Sequence, residues 1–441
     1  MTGMRWWHLL WGVALFSLLL YLPTLSCRDL PDLEADELID RLYYRSFEYF
    51  VDHQHEATGL VKDGSQWQPA STSATGFCLS ALAIGAANGW ISESLAERRA
   101  LRAIRTCIAC ARSGDPRYSY HGFLYHFFDI QTGRRSVTGA SRSEVSIVDH
   151  AILLIGALSA GEYFGGRVEE AALELYSLAE WDIFLDPVRN QFFGAWTPEQ
   201  GFSSWHWGAY TDEILLISLL AIGSPSHPVN AKVFYDWDRT EVSVYGDEFI
   251  RSWSGALFTY QYAHLWLDLE RYVDGQDVNW WDNSRCATLA NRNLCIKYSD
   301  RFASYRENSW GVTPCFHPAA RNCYEGRFSL MADGSGVPFH DGTVSPAGAA
   351  ASLCFTPSES KAALAHYYES IPCVWGQYGF KSSFNLDQRW VAPLYFSIEV
   401  GATLLAIDAY KHGAVRSALK NCEFLNEAMR RAGFSPLCTT R

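Results

Sequence analysis

The sequence predicts an all-α fold, an (α/α)6 barrel with a small β-hairpin and long rim loops, and three observations support it. Six helical stretches, centred near residues 80, 150, 215, 260, 350 and 402, are apolar on nearly every side. Six others are amphipathic, and the two kinds mostly alternate, failing only across a long connection at 225–253. A helix without a polar face is buried, so six such helices form an inner ring that six amphipathic ones wrap. A single domain over residues 28–441 follows, with a multidomain helical array as the alternative.

Leu33–Phe50 reads as an amphipathic helix closed by the loop TGLVKDGS. Thr75–Asn88 is a small-residue apolar helix, and Ser92–Arg112 carries Arg and Glu on one face. Arg117–Val137 alternates in polarity and turns at Thr132-Gly133, the signature of a hairpin. Ser143–Phe164 is apolar and Val168–Ile183 more polar. Ile214–Ile222 has only Ser218 among apolar residues and stops at Gly-Ser-Pro-Ser-His-Pro. Ser254–Tyr272 is apolar and aromatic, and Asn279–Ser299 is charged. Glu307–Gly342 is loop, Ser345–Cys354 a small-residue helix and Ser358–Ser370 a polar one. Tyr395–Tyr410 is apolar again, and Ala414–Ala432 closes the chain.

Composition limits the function. The 441 residues are 48% hydrophobic and carry a net charge of −12 without a basic cluster, which argues against nucleic acid. Aromatic residues reach 15%, including 17 Trp, and flat apolar rings suit stacking on sugars. Residues 1–27 read as an export signal: Arg5 precedes the apolar run Trp6–Leu22, and Leu-Ser-Cys resembles a lipoprotein cleavage box ending at Cys27. An uncleaved membrane anchor is the alternative; both place the remainder outside the cytoplasm, in the periplasm or on the cell surface. Cys107 and Cys110 form a CxxC whose three-residue spacing reads as helical, with a redox or zinc role as the alternative, and Cys315 and Cys323 lie in a loop where pairing is open. No motif requires a cofactor or a metal, and the oligomeric state is undetermined.

Acids recur at the start of the apolar helices: Glu144 and Asp149 in SRSEVSIVDHAILL, Glu213 in YTDEILL and Glu399 in YFSIEVGATLL. First-turn acids suit the helix dipole, and Ser146 with Asp149 has capping-box spacing, so each taken singly has a structural explanation. Helices entering from one rim would bring them together. Glycosidic hydrolysis needs such carboxyls, one protonated to assist the leaving oxygen and one ionised to activate water or attack carbon. Trp205, Trp207, Tyr210, Trp253, Trp310 and Trp375 lie in polar, turn-rich stretches and are candidate sugar contacts. Glu307, Asn308 and Asp341 are candidate contacts on loops. His264, inside an apolar helix, is either a core histidine or a further contact.

Across residues 40–415 the chain resembles the bacterial glycoamylase-like family, which includes endo-β-1,2-glucanases. The resemblance is carried by TGLVKDGS, SATGFCLSALAIGAANGW, SEVSIVDHAILLIGAL, YTDEILLISLLAIGSPSHP, FTYQYAHLWLD, ENSWGVT, DGTVSPAGAAASL and YGFKSSFN. It implies an (α/α)6 barrel and, for the endo-β-1,2-glucanase members, inversion. Glu213 would be the general acid and Glu399 the general base, with Glu144 and Asp149 on the helix lining the sugar site. Glutamate stands at 399 where the family usually has aspartate, and Asp212 is a rival to Glu213. The expected function is an exported hydrolase of β-linked glucan, β-1,2-glucan first. A transglycosylase on the same fold and a noncatalytic glycan-binding lipoprotein are the alternatives.

Overall fold

The computed structural model describes residues 30–31, 33–137, 143–209, 211–253, 255–318, 324–325, 340–411 and 413–437. The expected export signal with Cys27 lies outside the described residues, as do Tyr210 and Cys323.

Among the described residues run thirteen α-helices. They are α1 (Ala35–His53), α2 (Thr72–Ala87), α3 (Glu93–Arg112), α4 (Ile147–Phe164), α5 (Gly166–Ser177), α6 (Thr211–Ile222) and α7 (Tyr262–Trp266). The rest are α8 (Trp280–Lys297), α9 (Pro346–Ala350), α10 (Pro357–Ser370), α11 (Ser397–Lys411), α12 (Ala414–Leu419) and α13 (Glu423–Arg431). The apolar helices are inside, and α6 buries every one of its residues. Helix α2 packs on α4, α4 on α6, and α6 on α7; both α7 and α9 meet α11, which returns to α2. Gln261, at the head of α7, donates to the Gly348 carbonyl of α9 at 3.0 Å and joins those two. The amphipathic helices lie outside: α3 on α2 and α5, α1 on α2 and α11, α10 on α1 and α9, α13 on α6. One hydrophobic cluster runs from Leu38 to Ala432.

The small residues of α2 have a specific purpose. Built on Gly76, a Cβ would stand 2.3 Å from the Ile152 carbonyl oxygen; on Gly156 it would stand 2.1 Å from that of Gly76. Helices α2 and α4 therefore meet backbone to backbone, which any side chain would forbid. Their polar residues find partners within this contact. The Ser80 and Ser159 hydroxyls bond at 2.9 Å, and the Trp266 indole donates to Ser80 at 2.9 Å, tying in α7.

Several expected boundaries fail where burial was taken for helical periodicity. Ser254–Tyr272 yields only a 3₁₀ turn at Leu257–Tyr260 and the short α7 before the chain extends. Its apolarity reflects enclosure of Tyr260 and Trp266, both fully buried, which a compact turn satisfies as well as a helix. Ser345–Cys354 is helical only over α9, and Ala414–Ala432 divides into α12 and α13. Val168–Ile183 stops at Ser177. The expected hairpin at 117–137 is more divided: Ser119–Tyr120 pairs with Phe123–Leu124, while Phe127–Phe128 pairs back to Ala70–Ser71 at the head of α2. Val145–Ser146, expected to open the helix from Ser143, instead pairs with Ala195–Thr197 in a three-stranded sheet completed by Gly201–Phe202, and Glu241–Val244 pairs with Asp247–Ile250 within the long connection.

Cys107 and Cys110 lie buried on α3, as helical spacing required. Cys373 is disulfide-bonded, a feature not foreseen.

Candidate active site

Three inner helices begin alike, each with an acid as its third residue: Asp149 in α4, Glu213 in α6 and Glu399 in α11. All are buried, with residual exposures of 8%, 6% and 7%. Ser146 is the N-cap of α4 but makes no side-chain cap bond, so the capping-box explanation of Asp149 fails. Helix α2 has no acid in its first turn; Asp63 comes instead from the loop before it. Gly64 pairs with Phe396, and the Asp63 carbonyl accepts from the Ser397 N–H at 2.8 Å, stitching this loop to the head of α11. Tyr262, the first residue of α7, stands among them: its phenol is pushed far up by burial and by Glu213, Glu399, Asp149 and Asp63.

The electrostatics separate these carboxyls. Burial, with repulsion from Asp149, pushes Glu213 up to about 8, and its Oε2 is buried with no hydrogen-bond partner among the described residues. Glu213 is therefore neutral at pH 7, and a neutral carboxyl can donate a proton. Burial also drives Glu399 well above the usual carboxylate range, even though Ser382 donates to its Oε1 at 2.8 Å. Asp63 is likewise raised by burial, with His126 pulling it down.

The positive group within the cluster is His126. Its Nδ1 lies 3.2 Å from Glu144 Oε1 and its Nε2 3.5 Å from Asp149 Oδ1. Burial opposes its charge, yet Asp149, Glu144 and Asp63 together raise it to about 9, so it is an imidazolium at neutral pH. Glu144 is raised by burial but held below its ordinary value overall by His126. Sequence reasoning passed over His126 because its stretch reads only as alternating strand, and over Asp63 because KDGS reads as a turn. The available signal was that Asp63 lies in TGLVKDGS, one of the stretches that carry the family resemblance.

Asp212 and Glu213 are adjacent on α6, so about 100° of helix rotation aims them apart. Asp212 is wholly buried and faces His264, 3.6 Å away and equally buried. His264 also lies 3.1 Å from the Ser284 hydroxyl. His264 as a sugar contact is thus corrected: it is a core histidine with no exposed surface. Trp310 is corrected for the same reason, at 0% exposure.

Trp205 and Trp253 present rings to solvent, at 45% and 44% exposure. Trp205 stands edge-on to the buried Trp207, centroids 5.3 Å apart, and lies over Gly194, where a Cβ would clash. Trp253 is close to the head of α6, since neighbouring Ser252 accepts from the Thr211 N–H at 3.0 Å. Trp375 is half-buried and edge-on to Tyr368 and Phe380. Glu307 is exposed and paired with Arg292 of α8 at 3.0 Å, and Asn308 is exposed beside it. Asp341 pairs with His317 at 2.5 Å and caps the Thr343 N–H at 2.9 Å.

Known proteins share this architecture. The "Glycoamylase: Putative glucoamylase" family model matches residues 204–423, a span that includes Glu213 and Glu399. An exo-β-1,2-glucooligosaccharide sophorohydrolase (non-reducing end) of Parabacteroides distasonis is 25% identical over 413 residues. That match takes in 85% of this chain but only 55% of the relative, so the chain spans about half its length. The endo-β-1,2-glucanase structure from Chitinophaga pinensis superposes with a TM-score of 0.80 at 22% identity, covering 92% of this chain and 99% of that one. The β-1,2-glucanase structure from Parabacteroides distasonis gives a TM-score of 0.80 at 22% identity, covering 91% and 60%. At such identities the two structures establish the fold. The family model, matched over residues 204–423, and the sophorohydrolase match make the chain similar to the glycoamylase-like family.

Proposed function

We propose that this protein is an exported glycoside hydrolase that cleaves β-1,2-glucan by inversion, on an (α/α)6 barrel formed by residues 28–441. The observation that carries the proposal is the neutral, buried carboxyl of Glu213 within a cluster of acids at the heads of the inner helices. The closing succession of inner helices supports the barrel. The names of the sophorohydrolase and the endo-β-1,2-glucanase support the substrate. The Cys373 disulfide supports an oxidising compartment, and hence export.

In this mechanism Glu213 passes its proton to the glycosidic oxygen as the bond to the anomeric carbon breaks. Glu399 takes a proton from water attacking that carbon from the opposite face. Glu213 ends ionised and Glu399 protonated, and solvent restores both. Trp205 and Trp253 supply stacking faces at the rim. His126 holds Glu144 as a carboxylate able to accept from sugar hydroxyls. A second assignment of the base rests on a specific observation. Burial favours neutral Glu399, whereas Asp149 Oδ1 lies 3.5 Å from the ring of His126.

The test is product release from linear β-1,2-glucan by the full chain and by E213Q, E399Q and D149N, with anomeric configuration followed by NMR. Release of α-configured sugar by the native chain, lost in folded E213Q, supports the proposal. Loss in E399Q with D149N active assigns the base to Glu399; the reverse assigns it to Asp149. Longer glucans would indicate transfer, and binding without turnover a glycan-binding protein; either overturns hydrolysis.

A further inference from the structure

One cavity lies apart from the carboxyl cluster and shares none of its residues. It is a groove of about 880 Å³ along the outer face of α3, lined by Arg98, Arg102, Arg105 and Arg167. Among the described residues no aspartate or glutamate lines it, although the chain carries a net charge of −12. Positions 98, 102 and 105 are spaced by four and three residues, so their side chains rise from one face of α3. They span about 10 Å of helix at 1.5 Å per residue. Arg167 adds a fourth guanidinium from the start of α5. The nearby carboxylate of Glu174 is already engaged by Arg112, at 2.7 Å. Arg102 donates one N–H to the Glu56 carbonyl at 2.6 Å, a neutral partner that orients it. Tyr118 and Thr132 line the groove with the arginines. Tyr118 is itself fixed by Arg134, which donates to its hydroxyl at 3.0 Å.

Like charges brought together on one helix face repel, and nothing in the packing of α3 requires them, because its buried face is the apolar one. A row of planar, bidentate donors spread over this length matches an anion with two or more oxyanion groups. We propose that this groove binds a soluble ligand bearing at least two phosphate or carboxylate groups, at a site independent of glucan cleavage. Its concavity favours a discrete molecule over a flat membrane surface.

The experiment is isothermal titration of the full chain with inorganic pyrophosphate and with citrate, repeated for R98A/R105A. Both arginines are exposed, so the variant keeps its fold, which its thermal midpoint and glucan turnover check. Saturable binding by the native chain, weakened about tenfold or more for each guanidinium removed and falling with salt, is expected. Preference for pyrophosphate would identify a phosphate ligand, and preference for citrate a carboxylate one. Three results would overturn the proposal: no binding of either anion at millimolar concentration, binding unchanged in R98A/R105A, or retention only on phosphatidylserine vesicles.

Discussion

Replacing Glu213 by glutamine tests the buried neutral acid in two independent ways. In the unfolded chain a glutamate ionises above its ordinary value of 4.5, whereas in the folded protein this one does so only near 8. Below pH 4.5 both states are neutral and the carboxyl makes no pH-dependent contribution. As pH rises from 4.5 to 8 the unfolded state gains by ionising and the folded state does not, so stability falls across that window. At pH 7 the difference, at 1.36 kcal/mol per decade of proton affinity, is on the order of 3 kcal/mol. Glutamine has the same shape and never ionises. E213Q is therefore expected to be more stable than the native chain at pH 7, by up to about 3 kcal/mol, and equally stable at pH 4. Urea unfolding of both proteins at the two pH values measures this, and glucan turnover measures the loss of the proton donor. Equal stability at pH 7, or a gain that persists at pH 4, would refute a buried neutral carboxyl. Full turnover by E213Q would refute its role as the acid.

Other consequences follow from the same geometry. For the native chain, kcat/KM on β-1,2-glucan should fall as pH rises through about 8, where Glu213 loses its proton; a flat profile to pH 9.5 would place the acid elsewhere. H126Q removes the imidazolium that holds down Glu144 and Asp63, so these carboxyls ionise at higher pH and the acid limb of the profile moves up. A uniform loss of rate without that shift would mean that the histidine only packs. W205A should raise KM about 2- to 10-fold with kcat little changed, the loss expected when one stacking face is removed. G156A should lower stability by about 1–3 kcal/mol, because its methyl group meets the Gly76 carbonyl; an unchanged urea midpoint would show that α2 and α4 can separate at no cost.

Much of the candidate site was written into the chain as local pattern. Apolar residues all round Ile214–Ile222 require enclosure, and acids just inside α4, α6 and α11 are fixed in place by helix geometry. Periodicity and burial act over a few residues, so those features can be read directly. The small-residue, apolar character of α2 was likewise legible, although not its backbone contact with α4.

Tertiary structure decided the rest. His126 lies between Glu144 and Asp149 only because Phe127–Phe128 pairs with Ala70–Ser71 at the head of α2. Asp63 joins the cluster only because Gly64 pairs with Phe396, at the opposite end of the chain. Nothing in YTDEILL distinguishes Asp212 from Glu213. One faces His264 in the core, and the other stands in the field of Asp149. His264 and Trp310 fail as sugar contacts because the chain closes over them. A polar residue in an apolar sequence can be sealed within a core or exposed at the mouth of a site, and composition is the same in both. Proton affinity depends on the same placement: burial and the neighbouring Asp149 carry Glu213 from 4.5 to about 8, and both arise from segments distant in sequence that the fold brings together.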